Sequence, residues 1–142
     1  IRHAAFIADF DASAGERLLC QIREAGCKAC FFKCDASSLE SMNELIHFAE
    51  NEFGAIAAVI NAVYLKGKGY GNKLQDVTLG DFKETISMQL GSVFAVCKAF
   101  SNYFCATDGG SVVNIGSIYG CRCFSSINSF SERDKKVSAF FR

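Results

Sequence analysis

Residues 110–120 read Gly-Ser-Val-Val-Asn-Ile-Gly-Ser-Ile-Tyr-Gly. A glycine leads into a short β-branched run, and the run ends on Ser117 between Gly116 and Gly120. A buried parallel strand ends this way when it delivers a hydroxyl to the carboxyl edge of a sheet, where α/β proteins place their chemistry. The segments upstream support that reading. Residues 4–10, 28–33 and 55–62 are short apolar runs that suit further buried strands. Asp11 or Ser13 can cap a helix with Leu18, Leu19, Ile22 and Ala25 on its apolar face and Gly26 past its end. Ser37 or Ser38 can start a second helix that aligns Leu39, Met42, Leu45, Ile46, Ala49 and Phe53, closed by Gly54. After a Gly/Lys loop at 65–73, Thr78 and Asp81 have the spacing of a capping box. They open a long helix to about Phe104, with Phe82, Ile86, Leu90, Val93, Phe94 and Cys97 at helical spacing. Strand and helix alternate throughout. The pattern predicts an α/β fold with a parallel sheet and right-handed crossovers.

The bulk composition narrows the function classes. The chain has 142 residues, 50% hydrophobic and 21% charged, enough for one domain or a piece of one. Lys+Arg and Asp+Glu balance at 15 each, so charge gives no case for nucleic acid or an anionic membrane as a partner. No apolar run approaches the roughly 20 residues that span a bilayer. Arg2, His3 and Asp9 interrupt the first apolar stretch, so no signal peptide is expected. The strand-like start at Ile1 reads as the interior of a longer reading frame. Eight cysteines do not make a disulfide scaffold here. Cys20, Cys30, Cys97 and Cys105 fall inside apolar periodic segments, where Cys behaves as a small hydrophobe. Cys27, Cys30 and Cys34 fall past a helix end, inside a strand and at its far end, so they should not converge, and Cys121 with Cys123 lacks a second ligand pair. No metal site is expected, and a reducing cytoplasm is the expected location.

The 110–120 stretch resembles the fifth strand and catalytic serine of the short-chain dehydrogenase/reductase family. The resemblance covers residues 4–120 in order and spacing. It implies a Rossmann-like doubly wound parallel sheet, incomplete here: the first strand and the strands after the fifth are lacking. It also implies hydride transfer between a nicotinamide cofactor and a small alcohol or carbonyl substrate. Ser117 would bond the substrate oxygen and steady a developing alkoxide. Asp9, ending the first visible strand, would bond the adenosine ribose hydroxyls and repel a 2′-phosphate, which favours NAD over NADP. Asp35, ending the next strand, matches the family's acid at the adenine amino group. Each acid also has a simpler reading as a helix-start residue. Asn61, in Val-Ile-Asn-Ala-Val-Tyr, resembles the first residue of the family's Asn-Asn-Ala-Gly motif on the cofactor side, with Ala62, Val63 and Tyr64 replacing the rest. Tyr64 through Gly71, and Ser117-Ile-Tyr-Gly120, resemble a branch linked to sugar and flagellin-glycan biosynthesis. A sugar derivative is then a candidate substrate, held by Lys66, Lys68 and Lys73 unless that loop is simply solvated. Gln89 stands where the family has an Asn in its proton relay. Family members also pair into dimers or tetramers through the long helix, here 79–104.

Two family features are lacking. The acid/base Tyr and the Lys four residues on would fall at Phe130 and Asp134, which can neither exchange a proton as the phenol does nor supply the positive charge, or, in the sugar-linked branch with its inserted segment, beyond Arg142. The one Tyr-x-x-x-Lys match, Tyr64 to Lys68, lies in the loop after the third visible strand and away from Ser117. The Gly-rich turn that seats a pyrophosphate would precede Ile1. Because that first strand is central in the order 3-2-1-4-5-6, its loss should separate the 4–10 and 28–33 strands from the 55–62 and 110–116 strands, which then either pair across the gap or leave two apolar edges open. Residues 1–120 are expected to form a partial NAD(P)-binding domain and 121–142 a divergent tail. The expected function is that of an oxidoreductase fragment, inactive as this chain alone. A non-catalytic Rossmann-like binding module is the alternative. A flavodoxin-like or receiver-type domain fits the alternation but leaves Asn61 and 110–120 unexplained.

Overall fold

A computed structural model describes residues 4–116. Strand β1 (Ala5–Asp9) leads into helix α1 (Ala12–Glu24), strand β2 (Ala29–Lys33), helix α2 (Leu39–Phe53) and strand β3 (Ala58–Asn61). A short 3-10 turn (Leu74–Asp76), helix α3 (Leu79–Ala106) and strand β4 (Ser111–Asn114) follow. The expected elements all form, and their starts rest on the expected chemistry. Asp11 caps α1 by accepting from the Ala14 amide, and Ser38 caps α2 by accepting from the Ser41 amide. Thr78 and Asp81 cap α3 reciprocally, a complete capping box. Gly54 closes α2 with φ +81°, a backbone angle that L side chains avoid.

The strands do not form one sheet. β1 pairs in parallel with β2 from Ala5 opposite Ala29 to Asp9 opposite Lys33. β3 pairs in parallel with β4 from Ala58 opposite Ser111 to Asn61 opposite Asn114. These are two separate two-stranded sheets among the described residues, one of the two outcomes the strand order left open.

One core spans both half-sheets. Met42, Leu45 and Ile46 of α2 meet Val96, Ala99, Phe100 and Phe104 of α3, with Cys34 beside them. Phe6, Phe32, Val59 and Val112, one residue from each strand, pack against that cluster. Alternation along the strands turns Ile7 and Phe31 to the opposite face, where α1 lies. There Gly15 approaches the Phe31 ring so closely that an added Cβ would overlap it. α1 buries only Gly15 and Leu19, whereas the expected face residues Leu18 and Ala25 are exposed. A helix with so close a backbone approach needs few large side chains to cover its strands.

Helix α3 carries two apolar faces. Ala95, Val96, Ala99, Phe100 and Phe104 are buried, while Leu79, Phe82, Ile86, Leu90 and Phe94 form an exposed stripe at helical spacing. Cysteine burial also departs from the periodic pattern. Among the described cysteines Cys34 is the buried one, and Cys20 and Cys105 are exposed. No helix among the described residues is long and apolar enough to cross a membrane.

Candidate functional site

A cavity of about 430 Å³ opens between the carboxyl ends of the two half-sheets. Ala8, Asp9 and Phe10 line it from β1, Cys34 and Asp35 from the end of β2, and Asn61 to Leu65 from the end of β3. Met42, Leu45, Val96 and Phe100 supply an apolar floor. Three of the four expected site residues, Asp9, Asp35 and Asn61, therefore meet at one cleft, although 52 residues separate the outer two in sequence. Ser117 lies outside the described residues, as do Tyr119, Phe130, Asp134 and the boundary expected at residue 120.

Each acid has a defined job in its turn. Asp9 Oδ1 accepts from the Asp11 amide at 2.9 Å, and Asp11, not Asp9, caps α1. Asp35 Oδ1 accepts from both the Ser37 hydroxyl at 2.7 Å and the Ser37 amide at 2.9 Å. Those two bonds hold the Asp35 carboxyl below the usual carboxylate range, so it is ionised at neutral pH. Ser38, not Asp35, caps α2. The simpler helix-cap reading thus falls on neighbouring residues, and both strand-end acids stay exposed at the cleft.

Asn61 behaves differently. It is only 5% exposed, and its side chain is held on two sides. Nδ2 donates to Asn114 Oδ1 at 2.9 Å, and Oδ1 accepts from the Val63 amide at 3.2 Å. Asn114 Nδ2 in turn donates to Cys97 Sγ at 3.3 Å. This chain of amides ties β3 to β4 and to α3, and it fixes the backbone turn at 61–63 that forms one wall of the cleft. Asn61 is a positioning residue for that wall.

The loop after β3 is anchored from α3. The Gln89 side-chain amide donates to the Leu65 carbonyl, a tie across 24 positions. Tyr64, on the cleft, meets Tyr70 edge to face with ring centroids 5.8 Å apart, and the Lys66 ammonium lies 5.3 Å from the Tyr70 ring centre. The hydrogen bond with Tyr70 pushes the Tyr64 phenol up from its ordinary value. Burial pushes the Cys34 thiol up, which disfavours its thiolate. Among the described residues, no cluster of three or more His, Cys, Asp or Glu side chains could hold a metal ion.

Two contributors were not singled out from the sequence. One is Asn114, whose partnership with Asn61 builds the wall. Its one signal was an amide inside a β-branched run, a residue strands usually avoid. The Tyr103 hydroxyl accepts from the Ile56 amide at 3.1 Å and fixes the approach to β3. A tyrosine on an apolar helix gives no such signal before the fold is known.

The comparisons with known proteins agree with this geometry. The short chain dehydrogenase family profile matches residues 3–131. A 3beta-hydroxysteroid dehydrogenase of Mediterraneibacter gnavus is 25% identical over 124 residues, which are 87% of this chain and 44% of that protein. The structure of NAD+-bound xylitol dehydrogenase superposes with a TM-score of 0.73 at 23% identity, covering 96% of this chain and 52% of that one. A variant of actinorhodin polyketide ketoreductase with NADPH gives 0.72 at 21% identity, over 95% of this chain and 51% of its own. The chain thus spans about half the length of the proteins it matches. The resemblance first carried by residues 110–120 holds across almost the whole sequence, and the chain belongs to the short-chain dehydrogenase family.

Proposed function

We propose that the protein is part of a nicotinamide-dependent oxidoreductase, and that its cleft takes the adenosine half of the cofactor. The observation that carries this reading is the placement of Asp9 and Asp35 at adjacent strand ends on one cavity with an apolar floor. Such a cavity suits a flat aromatic base, whose amino group Asp35 can meet, and a ribose, whose hydroxyls Asp9 can bind. The same negative charge opposes a 2′-phosphate, so the cleft favours NAD over NADP. When bound, the cofactor would supply or accept a hydride. The chain's own part is to seat the adenosine, hold the wall through Asn61 and present the Ser117 hydroxyl to the substrate oxygen. The substrate class is a small alcohol or carbonyl compound, and a sugar derivative fits the Tyr64 and Lys66 rim of the cleft. The setting is cytoplasmic.

The chain by itself does not turn over. Phe130 and Asp134 stand at the spacing the family uses for the acid/base pair. The exposed stripe Phe82, Ile86, Leu90 and Phe94 on α3 suits pairing of two copies through that helix.

The test combines mapping with an assay. Amide-shift mapping of NAD+ on the full chain should move resonances around Asp9, Asp35 and Asn61, and incubation with cyclohexanol or xylitol should give no NADH. Shifts confined to residues away from the cleft would overturn the site. Steady NADH formation that disappears in Ser117→Ala would overturn the inactivity. Non-catalytic binding, the second reading, is favoured by the loss of both dyad residues and predicts the same shifts in the full-length protein without turnover.

A further inference from the structure

We propose that Lys33 is a specificity-determining residue of the cleft, a cation that weakens the rejection of a 2′-phosphate, and that the Phe10 ring limits this effect by holding the Lys33 ammonium. The role rests on the adenosine reading of the cleft. Asp9 and Lys33 are register partners at the carboxyl ends of β1 and β2. Register partners in a sheet turn their side chains to one face, so an acid and a cation stand side by side at this end of the half-sheet. Both are exposed. Two other basic residues of this region are at the amino end of β2 instead. Lys28 precedes the strand, and the Arg23 guanidinium donates to the Ala29 carbonyl at 3.0 and 3.2 Å.

Lys33 has a defined place at this edge. Its ammonium lies 5.6 Å from the centre of the Phe10 ring, within range of a cation–π attraction. Phe10 lines the cavity and is 68% exposed, so no core packing calls for a ring at that position. A 2′-phosphate carries about two negative charges at neutral pH. The Asp9 carboxylate repels it, and an ammonium beside Asp9 offsets part of that repulsion. The lysine stem is flexible, so the ring decides how far the ammonium moves toward the ribose. A ribose without the phosphate offers hydroxyls and no charge, and its binding responds little to Lys33. Lys33 therefore acts on the ratio of the two nucleotide affinities rather than on both alike.

Calorimetric titration of the full chain with NAD+ and NADP+ gives that ratio for the wild type, Lys33→Gln, Phe10→Leu and the double variant. Lys33→Gln should widen the preference for NAD+ by about two- to fivefold, the range of one exposed charge interaction. Phe10→Leu keeps an apolar side chain and removes the attraction of the ring, so it should narrow the preference by about two- to fivefold. In the Lys33→Gln background the same change should have no effect on the ratio, and Phe10→Tyr, which keeps the ring, should restore the wild-type value. Added salt should shrink each of these differences. A ratio unchanged in Lys33→Gln overturns the proposal. So does a Phe10→Leu variant that weakens both nucleotides alike, the result of a purely structural or stacking role. Binding of neither nucleotide by the wild type is a separate failure, which removes the adenosine reading and the role of Lys33 with it.

Discussion

The two half-sheets are covered unequally. β1–β2 has α1 on one face and the α2–α3 core on the other, whereas β3–β4 has the core alone among the described residues. The consequence is visible residue by residue. Phe31 is partly covered beneath Gly15 of α1, but Ile60, Val113 and Ile115 stand 68%, 46% and 60% exposed. The β3–β4 half relies on polar ties instead, with Asn61, Asn114 and Cys97 linking strand, strand and helix. A half-sheet covered on both faces is held by packing. The one covered on a single face adds specific hydrogen bonds to the packing of that face.

The comparison breaks most readily at the residue that joins the halves. Phe100→Ala, at a site 3% exposed in the shared core, should cost about 3–5 kcal/mol by equilibrium unfolding and loosen both half-sheets together. Loss of protection in only one half would show that the core is not shared. Asn61→Ala should act on one side. It leaves Asn114 and the Val63 amide without their partner and costs about 1–3 kcal/mol. Hydrogen exchange should quicken in β3 and β4 and stay unchanged in β1 and β2. Gly15→Ala is its counterpart in the other half, where overlap with the Phe31 ring should cost about 1–3 kcal/mol and spare β3–β4.

The smallest effect is on pH. Asp35 and Asp81 have folded-state pKa values below the ordinary 3.8, held down by hydrogen bonds from Ser37 and Thr78. A depressed carboxylate contributes stability that is complete above its unfolded value and is lost as pH falls through its folded value. Asp35→Asn should therefore flatten the decline in melting temperature below about pH 4 and leave its slope above pH 5 unchanged. An unchanged acid limb would mean that the Ser37 bonds do not persist in solution.

Much of this arrangement was legible before any coordinates. Caps and apolar periods are local: Thr78 and Gly54 announce helix ends without help from the fold, and Asp11 and Ser38 are each one of two neighbouring candidates that the fold decides. The strand order that the resemblance implies left two outcomes, pairing across the gap or a split sheet, and the described residues show the split. What was not legible is long-range pairing. Asn61 and Asn114 are 53 positions apart, and only the β3–β4 register brings their amides together. The outward stripe on α3 was equally hidden. Phe82, Ile86 and Leu90 keep helical spacing as well as Val96 and Phe100 do, and only the packing of α2 decides which face is buried.

The central claim is that Asp9 and Asp35 make the cleft an adenosine site that rejects a 2′-phosphate. Calorimetric titration of the full chain with NAD+ and NADP+, repeated on Asp9→Asn, tests it most directly. The account predicts that NAD+ binds about tenfold or more tightly than NADP+ and that Asp9→Asn narrows the difference. Equal affinity for the two, or a preference untouched by Asp9→Asn, would contradict it.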